Sequence, residues 1–298
     1  MSAPLCAPSD PNPKTPDIST PPGACDCHSH VFGPSDRFPY AEDRSYTPPD
    51  APPDLHMAML AALGIDHGVL VQGSAHGTDN RAILEALERQ RDRYRGVAVV
   101  DAGISKADLR RMADLGVVGA RFNHLLRGGK PLFGGGVGIE AFEILHDRLA
   151  DVGWHMQLWI DCRDLPDLWF RIKDTAVPVV IDHMGRVDAK AGLGYPGFGF
   201  MTRLLGEGKI WVKLSGAYRN SDTWPDYPEV RPFHESLVRA NPEQCVWGTD
   251  WPHPSLEARM PNDGALLDLF NAWTPDATVR HRILVENPAR LYGFASQP

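Results

Sequence analysis

The segment Asp26-Cys27-His28-Ser29-His30 holds the most distinctive arrangement of chemically active side chains in this sequence. Successive side chains of a β-strand point to opposite faces, so Asp26, His28 and His30 are expected on one face. A lone histidine is commonly a hydrogen-bonded core residue. Two imidazoles at one strand end can instead bind a ligand, polarise a carbonyl or hold a metal ion. Cys27 falls on the other face, which argues against a nucleophilic cysteine.

Two further strand ends carry polar residues. The run VVIDHMGR contains His183 and ends in Arg186, and the run VWGTDWPHP contains Asp250 directly after an apolar strand. A strand that only packs in the core is not expected to end in polar residues, so these two strand ends indicate a functional site. His183 and Asp250 therefore join the two histidines of the first motif as candidates for acid–base chemistry. In such chemistry a carboxylate activates water and donors stabilise the developing oxyanion.

The elements that position these residues are predicted from short β-branched runs that alternate with longer helix-period segments. This pattern is typical of repeated βα units around a parallel sheet, and eight strands indicate an α/β fold of the (β/α)8 TIM-barrel type. The eight predicted strands cover residues 25–32, 67–72, 96–101, 117–123, 154–160, 177–183, 210–214 and 245–250. In such a barrel the polar strand ends meet at one face.

The segments between the strands predict helices, loops and an arm. Asp54 and Asp79 are predicted to cap helices over residues 55–63 and 80–94. The glycine-rich segments 127–138 and 187–199 are too long for simple connections and are predicted to be substrate-facing loops. The first 22 residues are Pro-rich and lack the apolar region of a signal peptide. We expect an extended arm over residues 1–22 and the barrel over residues 23–298.

Composition excludes several classes of protein. With 298 residues, 43% hydrophobic and 23% charged, the chain has the size and composition of a single α/β barrel. No apolar run approaches the roughly 18 residues of a membrane span, so we expect no membrane association. A net charge of −8 argues against a nucleic-acid partner. Five irregularly spaced cysteines in a chain of this size indicate a reducing cytoplasm.

Five segments together identify a family. The segments PPGACDCHSHVFGP, QGSAHGTDN, GARFNHLLR, VIDHMGR and VWGTDWPHP resemble, in this order, the 2-pyrone-4,6-dicarboxylate lactonase family of the amidohydrolase superfamily. The resemblance covers nearly the whole chain after the arm. It implies a hydrolase of aromatic catabolism that opens the ring of a carboxylated lactone. The implied substrate is a small anion, either 2-pyrone-4,6-dicarboxylate or a related muconolactone such as sulfomuconolactone.

The resemblance also implies roles for the motif residues. The aspartate at the end of the last strand, here Asp250, is expected to act as the general base on the attacking water. The barrel histidines His28, His30 and His183 are expected to hold or polarise the lactone carbonyl. These roles agree with the chemistry of ester hydrolysis, which needs a base within reach of water and donors aimed at the oxyanion.

Arginines are the residues that the resemblance implies for binding the substrate carboxylates. An arginine fork binds a carboxylate in a bidentate way, which a lysine cannot do. Side chains after the second strand and at the fifth strand are further candidates, and Trp159 stands where the family has a substrate-contacting tyrosine. The predicted substrate-binding residues are Arg121, Arg127, Arg186, Arg219, Ser74, His76 and Trp159.

The metal set of metal-dependent amidohydrolases is incomplete here. Those enzymes add a lysine or glutamate at strand four and a histidine at strand five. This chain has Arg121 and Asn123 at strand four, while His155 lies near the start of strand five. The resemblance implies a reaction that requires no cofactor. A single Zn²⁺ is nevertheless compatible with the imidazole and carboxylate ligands available, which are His28, His30, His183 and Asp250.

Two other enzyme activities stay open on the same barrel. One is the metal-dependent decarboxylation of an aromatic acid, and the other is hydrolysis or isomerisation of a sugar-acid lactone. The segment KLSGAYRN looks more like relatives that act on muconolactones or sugar-acid lactones. In that segment Tyr218 is a candidate replacement hydroxyl, and Arg219 is then expected to point elsewhere. The sequence leaves the oligomeric state open.

Overall fold

Eight parallel strands form the centre of the molecule. The computed structural model describes residues 3–127, 130–132 and 134–295, with the backbone alone at residues 127, 130 and 131. Each strand pairs with the next one along the chain, which confirms the predicted (β/α)8 barrel. The strands are β1 (Cys25–Ser29), β2 (His67–Val71), β3 (Tyr94–Ala98), β4 (Val117–His124), β5 (His155–Ile160), β6 (Val179–Ile181), β7 (Trp211–Leu214) and β8 (Cys245–Trp247).

The barrel closes between β8 and β1. The backbone N–H of Asp250 donates to the carbonyl of His28 at 2.7 Å, and that of His30 donates to the carbonyl of Trp251 at 2.7 Å. Gly248 permits this close approach, because a Cβ at that position would lie 2.6 Å from the backbone nitrogen of His28. Closure therefore brings the chain after β8 directly beside the histidines at the end of β1.

Helices cover the outside of the barrel, and none in the described part of the chain is both long and apolar enough to cross a membrane. Their apolar faces pack on the strands, as where Phe142 meets Phe122 of β4 with ring centroids 5.5 Å apart. The helices are α1 (Pro53–Leu63), α2 (Arg81–Arg89), α3 (Lys106–Asp114), α4 (Ile139–Asp151), α5 (Leu165–Ile172), α6 (Phe198–Gly206), α7 (Ala217–Asn220), α8 (Arg231–Ala240), α9 (Asp263–Trp273), α10 (Ala277–His281) and α11 (Asn287–Tyr292).

Two expectations about helix ends are wrong. Asp54 does not cap α1, which begins after Pro52 with no side-chain cap. Helix α2 ends at Arg89, and Tyr94 begins β3 instead of ending the helix. The pairing of Tyr94 with Gly68 of β2, together with a 2.9 Å hydrogen bond between its hydroxyl and the His56 ring, outweighs the local helical period.

The chain before β1 is extended and packs against the segment that follows β8. The N–H of Ala7 donates to the carbonyl of Leu256 at 2.8 Å. Lys14 pairs with Asp268 of α9 at 2.6 Å, and the hydroxyl of Thr20 donates to the carbonyl of Leu63 at 2.5 Å. The arm therefore covers the loop that carries Asp250 and the start of α9.

The two long glycine-rich segments follow β4 and β6. The first forms a short hairpin that pairs Leu126–Arg127 with Lys130–Pro131 before α4 begins. The second follows the 3-10 turn His183–Arg186 and contains the 3-10 turn Ala189–Ala191 before α6. Because all eight strands are parallel, both segments start at the same face of the barrel as the chain after β8.

Candidate active site

Asp250 is fully buried, and three histidine side chains surround its carboxylate. Oδ1 of Asp250 lies 3.2 Å from Nε2 of His30 and 3.8 Å from Nε2 of His28. Oδ2 lies 3.9 Å from Nε2 of His183. The structure therefore brings together the four residues that the sequence motifs single out. The left-handed backbone of Asp250, with φ of 67°, is uncommon for a residue with a side chain.

The other side of the Asp250 carboxylate receives two donors from α7. The hydroxyl of Tyr218 donates to Oδ2 at 2.5 Å, and Nε of Arg219 donates to the same oxygen. The expectation that Arg219 points away from Tyr218 is wrong. The chain turns into a single helical turn directly after the left-handed Gly216, and both neighbouring side chains reach Asp250 from there.

These contacts set the charge of Asp250. Burial by itself raises the pKa of the carboxyl group, but the Arg219 guanidinium outweighs burial and holds the pKa well below its usual value. Asp250 in turn raises the pKa of Arg219, although burial acts in the opposite direction. Asp250 is therefore an ionised carboxylate at neutral pH.

The three histidines are neutral at neutral pH. Burial is the largest cause in each case: it lowers the pKa of His28 to about 3, that of His183 well below its usual value, and that of His30 more moderately. Nδ1 of His30 lies 2.7 Å from the carbonyl of Val71, which can only accept a hydrogen bond. The neutral His30 ring therefore carries its proton on Nδ1 and presents a lone pair at Nε2 to Asp250.

A second buried carboxylate lies beneath the site and was not predicted. Oδ2 of Asp182 accepts from Nε of Arg121 and from Nε2 of Gln157, both at 3.1 Å. Nζ of Lys213 donates to Oε1 of Gln157 at 2.6 Å and lies 3.4 Å from Nδ1 of His28. Lys213 is fully buried in the short apolar strand β7. A single charged residue inside an apolar strand was the sequence signal that could have predicted this buried polar cluster.

Of the other predicted substrate-binding residues, Arg121 and Trp159 border the site. The guanidinium of Arg121 lies 4.5 Å from the ring centre of Trp159, and the Trp159 ring lies 6.3 Å from that of His183. Their contact brings the tips of β4 and β5 together at the edge of the histidine cluster. Both side chains are thereby held in place before any ligand binds.

Among the predicted substrate-binding arginines, Arg186 has a guanidinium N–H that is not hydrogen-bonded within the described residues. One of its terminal nitrogens donates to the backbone carbonyl of Arg219, while its buried Nε has no hydrogen-bond partner among the described residues. Within the part of the chain that the structure describes, no carboxylate lies within 4 Å of it. Burial, followed by repulsion from Arg219, lowers the pKa of Arg186 to about 10. It remains a cation without a paired anion.

Ser74 and His76, the other predicted residues with described side chains, contact aromatic side chains. The hydroxyl of Ser74 donates to that of Tyr46 at 3.4 Å. The His76 ring stacks on Phe32, which separates it from His30, with ring centroids 5.8 Å apart on each side of Phe32. The side chain of Arg127 lies outside the described residues.

The site contains groups that could hold a metal ion. Two sets of side chains have suitably close ligand atoms: His28, His30 and Asp250, and His28, Asp182 and His183. Nε2 of His28 has no partner within the described ranges, and Nε2 of His30 offers a lone pair, so the donor set fits a Zn²⁺ ion. His155 does not extend this set, because it lies at the start of β5 against Tyr292, with ring centroids 5.5 Å apart.

Known proteins with similar sequences and structures cover almost the whole chain. A 2-pyrone-4,6-dicarboxylate hydrolase of Comamonas testosteroni is 39% identical over 290 residues, covering 94% of this chain and 93% of that protein. A 4-sulfomuconolactone hydrolase of Rhizobium radiobacter is 38% identical over 278 residues, covering 93% of this chain and 92% of that protein. The crystal structure of an Agrobacterium tumefaciens protein matches with a TM-score of 0.84 at 30% identity, covering 95% of this chain and 100% of that chain. The model of the amidohydrolase family matches residues 25–294, and this chain belongs to that family.

Proposed function

We propose that this protein hydrolyses a carboxylated lactone of aromatic catabolism, either 2-pyrone-4,6-dicarboxylate or a related muconolactone such as sulfomuconolactone. The observation that carries the proposal is the ionised, buried Asp250, which faces three neutral imidazoles and lies beside arginine. The names of the two curated relatives support hydrolysis of a lactone as the reaction class.

In this reaction Asp250 acts as the general base. It removes a proton from a water molecule, whose oxygen adds to the lactone carbonyl carbon and gives a tetrahedral oxyanion. The carbon–oxygen bond of the ring then breaks, and the ring oxygen takes up the proton that Asp250 removed. The products are a new carboxylic acid group, which loses its proton to the solvent, and a hydroxyl or enol group, so Asp250 returns to its ionised form.

The oxyanion needs a hydrogen-bond donor, and we assign this role to His28 and not to His30. Nζ of Lys213 lies 3.4 Å from Nδ1 of His28 and can only donate a hydrogen bond to it. Oδ1 of Asp182 lies 3.3 Å from the same nitrogen but makes no hydrogen bond to it. The neutral His28 ring then carries its proton on Nε2, which has no partner among the described residues. Neutral His30 has its proton on Nδ1 and can only accept from the attacking water.

Arg186 is the residue that we assign to the substrate carboxylate. Arg121 and Arg219 already pair with Asp182 and Asp250, so a substrate anion would have to compete with buried carboxylates for them. Arg186 has a free, desolvated edge at the same face of the barrel. A charged hydrogen bond in such surroundings contributes about 1.5–3 kcal/mol. An anionic substrate would therefore be preferred over a neutral ester.

We propose that the reaction requires no metal ion, because every step above uses side chains of this chain. Arg121 and Asn123 stand at the tip of β4, where neither can bridge two cations. If one Zn²⁺ binds, His28, with its proton then on Nδ1 beside Asp182, would hold it together with His30, His183 and Asp250, and the ion would polarise the lactone carbonyl as a Lewis acid.

A substrate panel tests the function. Pyrone, muconolactone and sugar lactones and aromatic acids are incubated with the enzyme with and without chelator, and ring absorbance and acid release are followed. We expect turnover of a carboxylated lactone that survives chelation. Loss of turnover on chelation, restored by stoichiometric Zn²⁺, would overturn the metal-free reaction. Release of CO2 from an aromatic acid without lactone turnover would establish the decarboxylase instead.

A further inference from the structure

A continuous array of polar side chains leads away from the Oδ2 side of Asp250. The Tyr218 hydroxyl, which donates to Asp250 at 2.5 Å, lies 3.3 Å from Nδ1 of His253. On the far side of that ring, Nε2 of His253 lies 3.1 Å from Oδ1 of Asp263 in α9. Tyr218 is partly buried, whereas His253 and Asp263 are fully buried. We call these three residues the Tyr218 array.

Burial of the Tyr218 array is energetically unfavourable unless its polar groups interact with one another. A carboxylate removed from water is strongly destabilising without a compensating partner, and the ring of His253 is the polar group that lies beside Asp263. The first turn of α9 also favours an anion at this position. His253 has a left-handed backbone with φ of 60°, a conformation that costs on the order of 1–3 kcal/mol and is often retained at functional sites.

The geometry fixes the position of the Tyr218 hydroxyl. The Tyr218 hydroxyl gives its only proton to Asp250, so its oxygen can only accept a hydrogen bond from Nδ1–H of His253, while Nε2 of His253 faces Asp263. The His253 and Tyr218 rings meet edge to face, with centroids 5.2 Å apart and an angle of 87°. The phenol ring is therefore held on one side by His253 while its hydroxyl donates to Asp250.

We propose that Tyr218 is a further catalytic residue of this enzyme and that His253 and Asp263 are positioning residues that act through it. The inference rests on the lactone hydrolysis proposed above. Tyr218 and Arg219 both bond to Oδ2 of Asp250, so the water proton passes to Oδ1, the oxygen beside His30 and His28. The same proton passes from Oδ1 to the ring oxygen when the ring opens, and Tyr218 keeps its own proton throughout.

A double-mutant cycle tests this inference. Tyr218→Phe, His253→Gln and the double variant are compared with the wild type by measuring kcat and KM on the lactone that the wild type turns over best. We expect Tyr218→Phe to lower kcat by about 10- to 100-fold, the effect of losing a hydrogen bond to a charged group, with little change in KM. His253→Gln should lower kcat in the wild type but have almost no effect when Tyr218→Phe is already present.

Tyr292→Phe is the matched control. Tyr292 is a buried tyrosine beside His155 at the start of β5, and its hydroxyl has no hydrogen-bond partner in the described part of the chain. It should keep wild-type kcat. Thermal unfolding of each variant checks the fold, and Asp263→Asn replaces His253→Gln in the cycle if the latter unfolds.

Three outcomes would overturn the inference. Equal losses from His253→Gln with and without Tyr218→Phe would show that His253 does not act through Tyr218. A Tyr218→Phe variant that changes KM alone, or that keeps wild-type kcat, would remove Tyr218 from catalysis. A wild-type protein inactive on every carboxylated lactone would instead overturn the proposed function, on which the role of the array depends.

Discussion

At the scale of single residues, the neighbours of Asp250 keep its carboxylate ionised. Burial opposes ionisation, and Arg219 and Tyr218 compensate with a charge and hydrogen bonds. A carboxylate so stabilised is a weak base, but it is always in the form that can accept a proton at neutral pH. Its position close to His28 matters more than its basicity, because the water must lie between the base and the lactone carbonyl.

Asp250→Asn should abolish turnover while leaving substrate affinity largely unchanged. The amide keeps the shape of the side chain and removes the base, whose usual contribution is about 10²–10⁴-fold in rate. Steady-state kcat and equilibrium binding of the lactone would be measured together. Asp174→Asn, an exposed residue after α5, is the control. A variant that retains more than about a tenth of wild-type kcat would contradict the role of base.

Arg186→Met should lower kcat/KM for the carboxylated lactone by about 1.5–3 kcal/mol, because the unpaired guanidinium edge is lost. Lysine should restore only part of the loss, since it keeps the charge without the fork. The loss should shrink for an analogue that lacks the carboxylate, because that interaction is then absent from the start. The measurement is kcat/KM for both substrates.

Arg203→Met is the control for the Arg186 prediction, because Arg203 lies on the exposed face of α6. Equal losses with and without the substrate carboxylate would mean that Arg186 serves the fold. The anionic-substrate assignment would then lose its main physical support.

Residue types at strand ends could be predicted from the sequence, but their partners could not. His28 and His30 were identifiable as a His-x-His pair on one face of a strand, and His183 and Asp250 because each follows an apolar run. The pairing of Arg219 with Asp250 and the stacking of His76 on Phe32 depend on side-chain directions set by other elements. No local pattern in the sequence contains that information.

At the scale of secondary-structure elements, the junction of β8 with β1 decides the geometry of the site. The hydrogen bond from Asp250 to the backbone of His28 is part of barrel closure and also sets the spacing of the base from the imidazoles. The eight strands were predictable because a short run of β-branched and apolar residues is a local signal. The start of β3 was not, because it depends on pairing with β2.

Gly248→Ala should lower both stability and activity. The new Cβ would lie 2.6 Å from the backbone nitrogen of His28, so β1 and β8 must separate and Asp250 must move from the histidines. We expect a loss of about 1–3 kcal/mol in unfolding free energy and a decrease in kcat. Gly199→Ala is the control, since a Cβ there meets nothing within 4 Å. A stable Gly248→Ala variant with wild-type kcat would show that the junction tolerates a wider spacing.

At the scale of the whole molecule, buried neutral histidines make stability depend on pH. Burial lowers the pKa of His155 and His234 to about 3, against about 6.5 in an unfolded chain. Between these values the unfolded state binds a proton that the folded state does not bind. The stabilisation is therefore complete above about pH 6.5 and decreases as the pH falls towards 3, by about 1.4 kcal/mol per pH unit for each histidine.

His234→Gln tests this dependence away from the catalytic residues, since His234 lies in α8 with the Thr274 hydroxyl 2.7 Å from its Nε2. The amide can keep a hydrogen bond to Thr274 and does not titrate. The wild type should lose about 2 kcal/mol between pH 7 and pH 5 through this residue, and the variant should not, as measured by urea unfolding at each pH. His155→Gln, at the start of β5, should have the same effect. Both variants showing the full wild-type pH dependence would mean that these histidines are not the origin of the acid sensitivity, and carboxylate protonation would have to account for it instead.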